Sequence, residues 1–477
     1  MDSNGNGHGN GGGGATTAML SLPIGLPAPT REYRTHRKIV KATEQPGLPI
    51  PRPTIPIPLP PLRFRGSRVV IYKQDPTVTS LGYRMSYLPN RALPGPRDAR
   101  ITNGSPGLAP VSSNVFGDFL QTPGTDAFDA VQGYAVVRMT LTMYERARSL
   151  IAGSPQPIPW QWNGAANQDP LAVFPRGLPD VMNAFYSRTQ RALKFGDFIR
   201  QGSSPPERVY TCRSLDIVAH EAGHAILDGL KPNWILFGSS PQTGGLHESF
   251  GDLSAIFLAL SQLDQAESVI AITKANLHDK IFLSDMAEQF GLALGRPNGL
   301  RNADNDLRLS QVGTEVHAIS QVFTGAIYDI LADIFTFERK PGLKDDAATL
   351  HEVGQYVLSL VLRALIAAPS SNASFADVAN HMLAIANADG RPIEYQNFIR
   401  NRFVVREVLA APFSALAADH KDGATLEAAI TDAEDAVQDR SACCGTMNLD
   451  EFFDTEGQLE AEIADYRKQL ERVGAAR

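Results

Sequence analysis

The run His220-Glu221-Ala222-Gly223-His224 holds the residue types and spacing best suited to chemistry in this chain. Histidines at i and i+4 of a helix stack on one face, where both imidazoles reach one divalent ion, and Glu221, one position round, can hold a water bound there. The surrounding segment SLDIVAHEAGHAILDGLKP supplies that helix, with Ser214 as the expected N-cap, Gly229 as a stop signal and Pro232 beyond it. The bare pattern arises by chance in roughly one chain per hundred of this length, so its partners decide its meaning. His351-Glu352 is a decoy, because Gln355 stands where the second histidine is needed.

A partner is available in TGGLHESFGDLSAIFLAL, where Glu248 lies 24 positions after His224 and Asp252 follows one helical turn later. A carboxylate completes three protein ligands and leaves a fourth place open. An acid at i+4 can accept the other N–H of a liganding histidine and fix its tautomer. Alone, a Glu/Asp pair at this spacing is an ordinary solvated helix face. Joined to the histidine helix, it reads as a site for one Zn²⁺ per chain.

The rest of the sequence must position these groups. Its 477 residues, 43% hydrophobic and 20% charged, suit two or three packed units of a soluble globular protein and exclude a collagen-like chain or a long coiled coil. The 44 basic and 51 acidic side chains give a net charge of -7 without a long single-sign block, so no nucleic-acid partner is expected. The longest strongly apolar stretch, 357–368, contains Arg363 and is too short to cross a bilayer, so no membrane span is expected. The first residues carry no basic region ahead of an apolar patch that Pro23 and Pro27 interrupt. No signal peptide is recognised, and the expected location is cytoplasmic, with unconventional export left open. Cys212, Cys443 and Cys444 cannot build a disulfide framework, which fits a reducing compartment.

Residues 1–65 read as a disordered leader: a Gly/Asn tract, then eight prolines between Pro46 and Pro61 that favour polyproline II. Short β-prone pieces such as RVVIYK follow between 68 and 120. Helical spacing marks 126–149, 214–230, 246–263, 316–337, 352–368 and 375–388. From about Ala411, amphipathic acidic pieces read as helices for a surface or a protein partner. The expected division is a leader (1–65), an N-terminal α/β lobe with the zinc helix (66–235), a helical C-terminal lobe (236–410) and an acidic helical extension (411–477).

With these pieces in hand, the chain resembles the thermolysin-like zinc metallopeptidases, the gluzincins with two His and one Glu on the metal. DIVAHEAGHA is similar to that family's zinc helix, GGLHESFGDL to its Glu-x-x-x-Asp helix, and EVHAISQVFTGAIYDIL to the helix start carrying its second catalytic His. Asn183-Ala184-Phe185-Tyr186 resembles its Asn-Ala-aromatic edge strand, and GLRNAD, 299–304, the segment with its substrate-binding Arg. The matched pieces keep the family's order over roughly 60% of the chain, 126–408.

The resemblance implies an α+β, two-lobed thermolysin-like fold with a β-containing N-terminal half and a helical C-terminal half, the zinc helix flooring the cleft. It implies a zinc metalloendopeptidase whose His220, His224 and Glu248 bind Zn²⁺, whose Glu221 moves the water proton to the leaving amine, and whose His317 donates to the oxyanion. Removing a donor of that kind costs about 2.7–4 kcal/mol in comparable sites. Asp252 would orient a liganding histidine. Asn183, Ala184 and Arg301 would hold the peptide, while Ile217 and Leu300 would wall a pocket for a bulky apolar residue after the cut.

Departures from the family pattern carry information too. No Tyr occurs between Thr211 and Ile327, where the family keeps an oxyanion donor, and Trp234 is a substitute donor or a packing residue. His247 stands where Asn is usual, and Val312 replaces the acid that steers the second His, so either Glu315 or no residue does that job. DQAESVIAITKAN lacks a run of oxygen ligands, so a structural Ca²⁺ like the family's is not expected. The alternative is a catalytically weakened zinc-containing scaffold or binding protein of the same fold.

Overall fold

Alternating Val and Ile in SRVVIY bury one face of β1 (Ser67–Tyr72), which pairs antiparallel with β2 (Tyr83–Leu88) in the register Ser67↔Leu88 to Tyr72↔Tyr83. The computed structural model describes residues 66–104, 108–200, 203–236, 238–286 and 301–410. The leader, the acidic extension with Cys443 and Cys444, and Leu300 lie outside these residues.

A mixed sheet follows, built from β3 (Ile101–Asn103), β4 (Leu171–Leu178), β5 (Ala184–Ser187), β6 (Ala192–Ile199) and β7 (Arg208–Tyr210). Its order is β3-β4-β6-β5, with β7 also on β6; β3, β4 and β6 run parallel, and β5 and β7 run antiparallel to β6. Between β3 and β4 the chain makes α1 (Asp126–Ala152), which Thr125 caps by accepting from the Phe128 N–H and which Gly153 ends in the left-handed region at φ 64. It runs one turn longer than expected, so Arg146 and Arg148 fall short of its last turn.

Helices make the rest: α2 (Leu215–Leu230), α3 (Pro241–Leu260), α4 (Leu263–Thr273), α5 (Val316–Glu338), α6 (Asp346–Ala367), α7 (Phe375–Ala388) and α8 (Ile393–Val405). A short antiparallel pair, β8 (Asp285–Met286) and β9 (Arg301–Asn302), precedes α5. The molecule is thus mixed α+β, with the sheet in the N-terminal part and helices in the C-terminal part. Two boundaries differ from the spacing-based reading because polar caps set them. Ser240, with Pro241 at the first turn, starts α3 five residues before 246, and Asp345 starts α6 by accepting from the Ala348 N–H.

Two expectations about α2 change. Ser214 occupies the N-cap place without a side-chain cap; its hydroxyl donates to Asp75 Oδ2 (2.8 Å) and also meets Asp216. Gly229 does not stop the helix, which runs on to Leu230. A Cβ at Gly229 would stand 2.0 Å from Pro159 O, so glycine is there for close approach.

α2 and α3 pack side by side across the 235/236 position where two lobes were expected to divide. The crossing is tight: a Cβ on Gly223 would lie 2.5 Å from Ser254 Oγ, and one on Gly251 2.6 Å from His220 Cε1. Among the described residues, two helices, Val316–Glu338 and Asp346–Ala367, are long and apolar enough to cross a membrane. In them 94% and 56% of the apolar window is buried inside the protein, so packing accounts for much of their composition.

Candidate metal centre

The face of α2 carrying His220 and His224 meets the face of α3 carrying Glu248, and all three side chains are buried. Their ligand atoms lie within 4.8 Å of one another. His220 Nε2 stands 3.5 Å from Glu248 Oε2, and His224 Nε2 3.5 Å from Glu248 Oε1. Atoms about 2.1 Å from a tetrahedral ion stand about 3.4 Å apart, which is the spacing observed. None of these four buried atoms has a hydrogen-bond partner. Polar groups taken out of water without partners are costly, and a cation between them removes that cost. These residues therefore fit a divalent metal ion.

The other ring nitrogens are held. His220 Nδ1 lies 2.9 Å from Asp252 Oδ1, which also accepts from Arg301 Nη2 (2.6 Å). His224 Nδ1 lies 2.7 Å from His247 Nδ1. With Nε2 turned to the metal position, His224 must carry its proton on Nδ1 and donate it to His247. Burial pushes His247 down to about 4, so it is neutral and able to accept. The sequence offered His247 either a substrate role or a neighbour's role; it is a fully buried neighbour of His224.

Charges in the centre compensate one another. Burial opposes ionisation of Glu248 and of Asp252, yet His317 and His220 for the first, and Arg301 and His220 for the second, hold both below the usual carboxylate range. Burial also opposes a charge on His317, and Glu248 and Glu315 outweigh it, lifting the imidazole to about 9.

Of the remaining expected residues, Glu221 is wholly buried beside His220 on α2. His317, at the start of α5, brings Nε2 to 3.4 Å from Glu248 Oε2, with its Nδ1 2.6 Å from Glu315 Oε1. Glu315 also caps α5 by accepting from the His317 and Ala318 N–H groups, so one carboxylate holds both the helix start and the His317 ring. Arg301 is 8% exposed and sits on Asp252, a pairing that sequence spacing does not reveal. Ile217 is a core residue at 5% exposure.

Asn183 leads into the edge strand β5, which Tyr186 and Arg188 tie to Asp228 on α2. Gly196 N–H donates to Asn183 O, so the backbone groups of Ala184 face away from β6; the Ala184 N–H goes to Asn183 Oδ1 (2.8 Å). Trp234 resolves to packing, because its Nε1–H donates to Pro369 O (3.0 Å).

Gly251 was missed by sequence reasoning, although a glycine one turn from Glu248 is the signal that another group lies on that face. Replacing Asp252 by Ala is expected to lower metal affinity about 10–100-fold, read by competition with a chromogenic chelator, since His220 loses the acceptor that fixes its tautomer.

No protein-family model matches the chain, and no curated protein matches it either.

Proposed function

We propose that this protein is a thermolysin-like zinc endopeptidase. The observation that carries the reading is the 3.5 Å approach of His220 Nε2 and His224 Nε2 to the two Glu248 oxygens, with Glu221 beside them and His317 at 3.4 Å from Glu248. When bound, the ion supplies Lewis acidity toward the scissile carbonyl and toward water. Glu221 takes a proton from the attacking water and returns it to the leaving amine. His317 presents Nε2–H to the oxyanion, with Glu315 fixing the ring by its Nδ1. Asn183 and Ala184 align the peptide along the β5 edge, where a substrate carbonyl can replace Asn183 Oδ1 as acceptor for the Ala184 N–H. Arg301 stabilises Asp252 and reaches toward the peptide carbonyl beyond the cut. Ile217 favours a bulky apolar residue there.

A catalytically weakened zinc scaffold is the alternative, and one observation favours it. Trp234 is the only aromatic hydrogen-bond donor between His224 and His247, and its N–H is taken by Pro369 O. The two readings separate on a quenched-fluorescent peptide library followed by mass spectrometry of the products. The peptidase gives cuts before Leu, Ile or Phe that 1,10-phenanthroline abolishes; the scaffold gives none while holding its metal.

A further inference from the structure

We infer a second divalent-cation site, separate from the centre on α2 and α3, formed by His278, Asp304 and Asp329 and suited to a transition ion such as Zn²⁺. Each residue offers one ligand atom, and these atoms lie within 4.8 Å of one another. One imidazole nitrogen with two carboxylates is a mixed donor set that Zn²⁺ and its neighbours take, whereas Ca²⁺ and Mg²⁺ favour oxygen alone.

Asp329 supplies the independent indication. It is 3% exposed, and Arg406 Nη2 donates to its Oδ2 (2.8 Å), while its Oδ1 has no hydrogen-bond partner. A buried carboxylate oxygen left in that condition calls for a partner. His278 is 31% exposed and gives an ion a path from solvent. Its Nδ1 lies 2.8 Å from Asp304 Oδ1, so admitting a tetrahedral ion requires these atoms to part by about 0.6 Å.

The local charge is compatible. Arg406 pairs with Asp329, and Arg402 pairs with Asp333 through two hydrogen bonds while its Nη1 lies 3.8 Å from Asp329 Oδ2, so carboxylates and guanidinium groups meet at this place. The three ligands come from three places: the chain after α4, the chain after β9 and the middle of α5. An ion here fastens the segment that carries Arg301 to α5, the helix that carries His317 near its start, without touching Glu248.

The test is zinc stoichiometry of the full chain after removal of metal and equilibration with Zn²⁺, which does not depend on peptide cleavage and so stands or falls apart from the peptidase reading. His278→Ala and Asp304→Asn are each expected to bind one ion fewer than wild type. His381→Ala, outside both clusters, should bind the wild-type number, and His224→Ala should lose the other ion while keeping this one. Should His278→Ala fail to fold by circular dichroism, Asp304→Asn, which preserves shape, carries the result. Wild-type stoichiometry in Asp304→Asn, or loss of both ions together in His224→Ala, would overturn the site.

Discussion

Glu221→Gln is expected to retain its metal and to lose about 10³-fold in kcat on any peptide that the wild type cleaves. The amide keeps the size of the carboxylate but cannot take a proton, and general acid–base groups contribute about 10²–10⁴-fold. Glu221 is fully buried next to His220, so the substitution leaves the ligands His220, His224 and Glu248 unchanged in type and place. Metal content measured beside turnover separates this from simple unfolding. A variant that cleaves as fast as wild type would remove Glu221 from the mechanism.

His224→Ala has the second large effect, on stability as well as turnover. Glu248 holds two buried oxygens without hydrogen-bond partners, and they approach His220, His224 and His317 at 3.4–3.5 Å. Losing one imidazole takes away a metal ligand, and with it most of the stabilisation that a bound ion gives the folded protein. Zinc at about a thousand times its dissociation constant stabilises a folded protein by about 4.1 kcal/mol. Wild type should therefore melt higher as zinc rises. His224→Ala should lose most of that response and all turnover, as read by thermal melts with and without the ion.

The centre was legible because its chemistry is tied to helical spacing. His220 and His224 at i and i+4, and Glu248 with Asp252 at i and i+4, share faces whatever the rest of the chain does. For His317 the sequence left either Glu315 or no partner, and Glu315 both caps α5 and meets the ring. What stayed hidden depends on tertiary approach. The Arg301 bond to Asp252 joins residues 49 apart, and Trp234 is held by Pro369, 135 residues away. Gly223 and Gly251 read as ordinary small residues, and Gly229 as a helix stop, until the neighbouring helix, the His220 ring and the Pro159 carbonyl are in place.

In the fold, long helices were read well from their apolar period, and their starts less well where a serine or aspartate cap lies outside that period. The strands between 171 and 210 were legible only at Asn183–Tyr186, because β4 carries Pro175 and Gly177 within its run and the interior strand β6 is buried on both faces over most of its length. The short helices α4 and α8 were not expected; α4 turns away from α3 by 92° after a two-residue break, and apolar spacing alone does not mark such a corner.

The most direct measurement is cleavage of a quenched peptide by protein stripped with 1,10-phenanthroline, dialysed, and given Zn²⁺ in fractions of an equivalent, with bound metal read by mass spectrometry. Turnover that vanishes on stripping and returns in step with zinc retained by wild type, but not by His224→Ala, is the predicted result. Cleavage that persists in stripped protein, or zinc that binds at His220, His224 and Glu248 without restoring any cleavage, would contradict it.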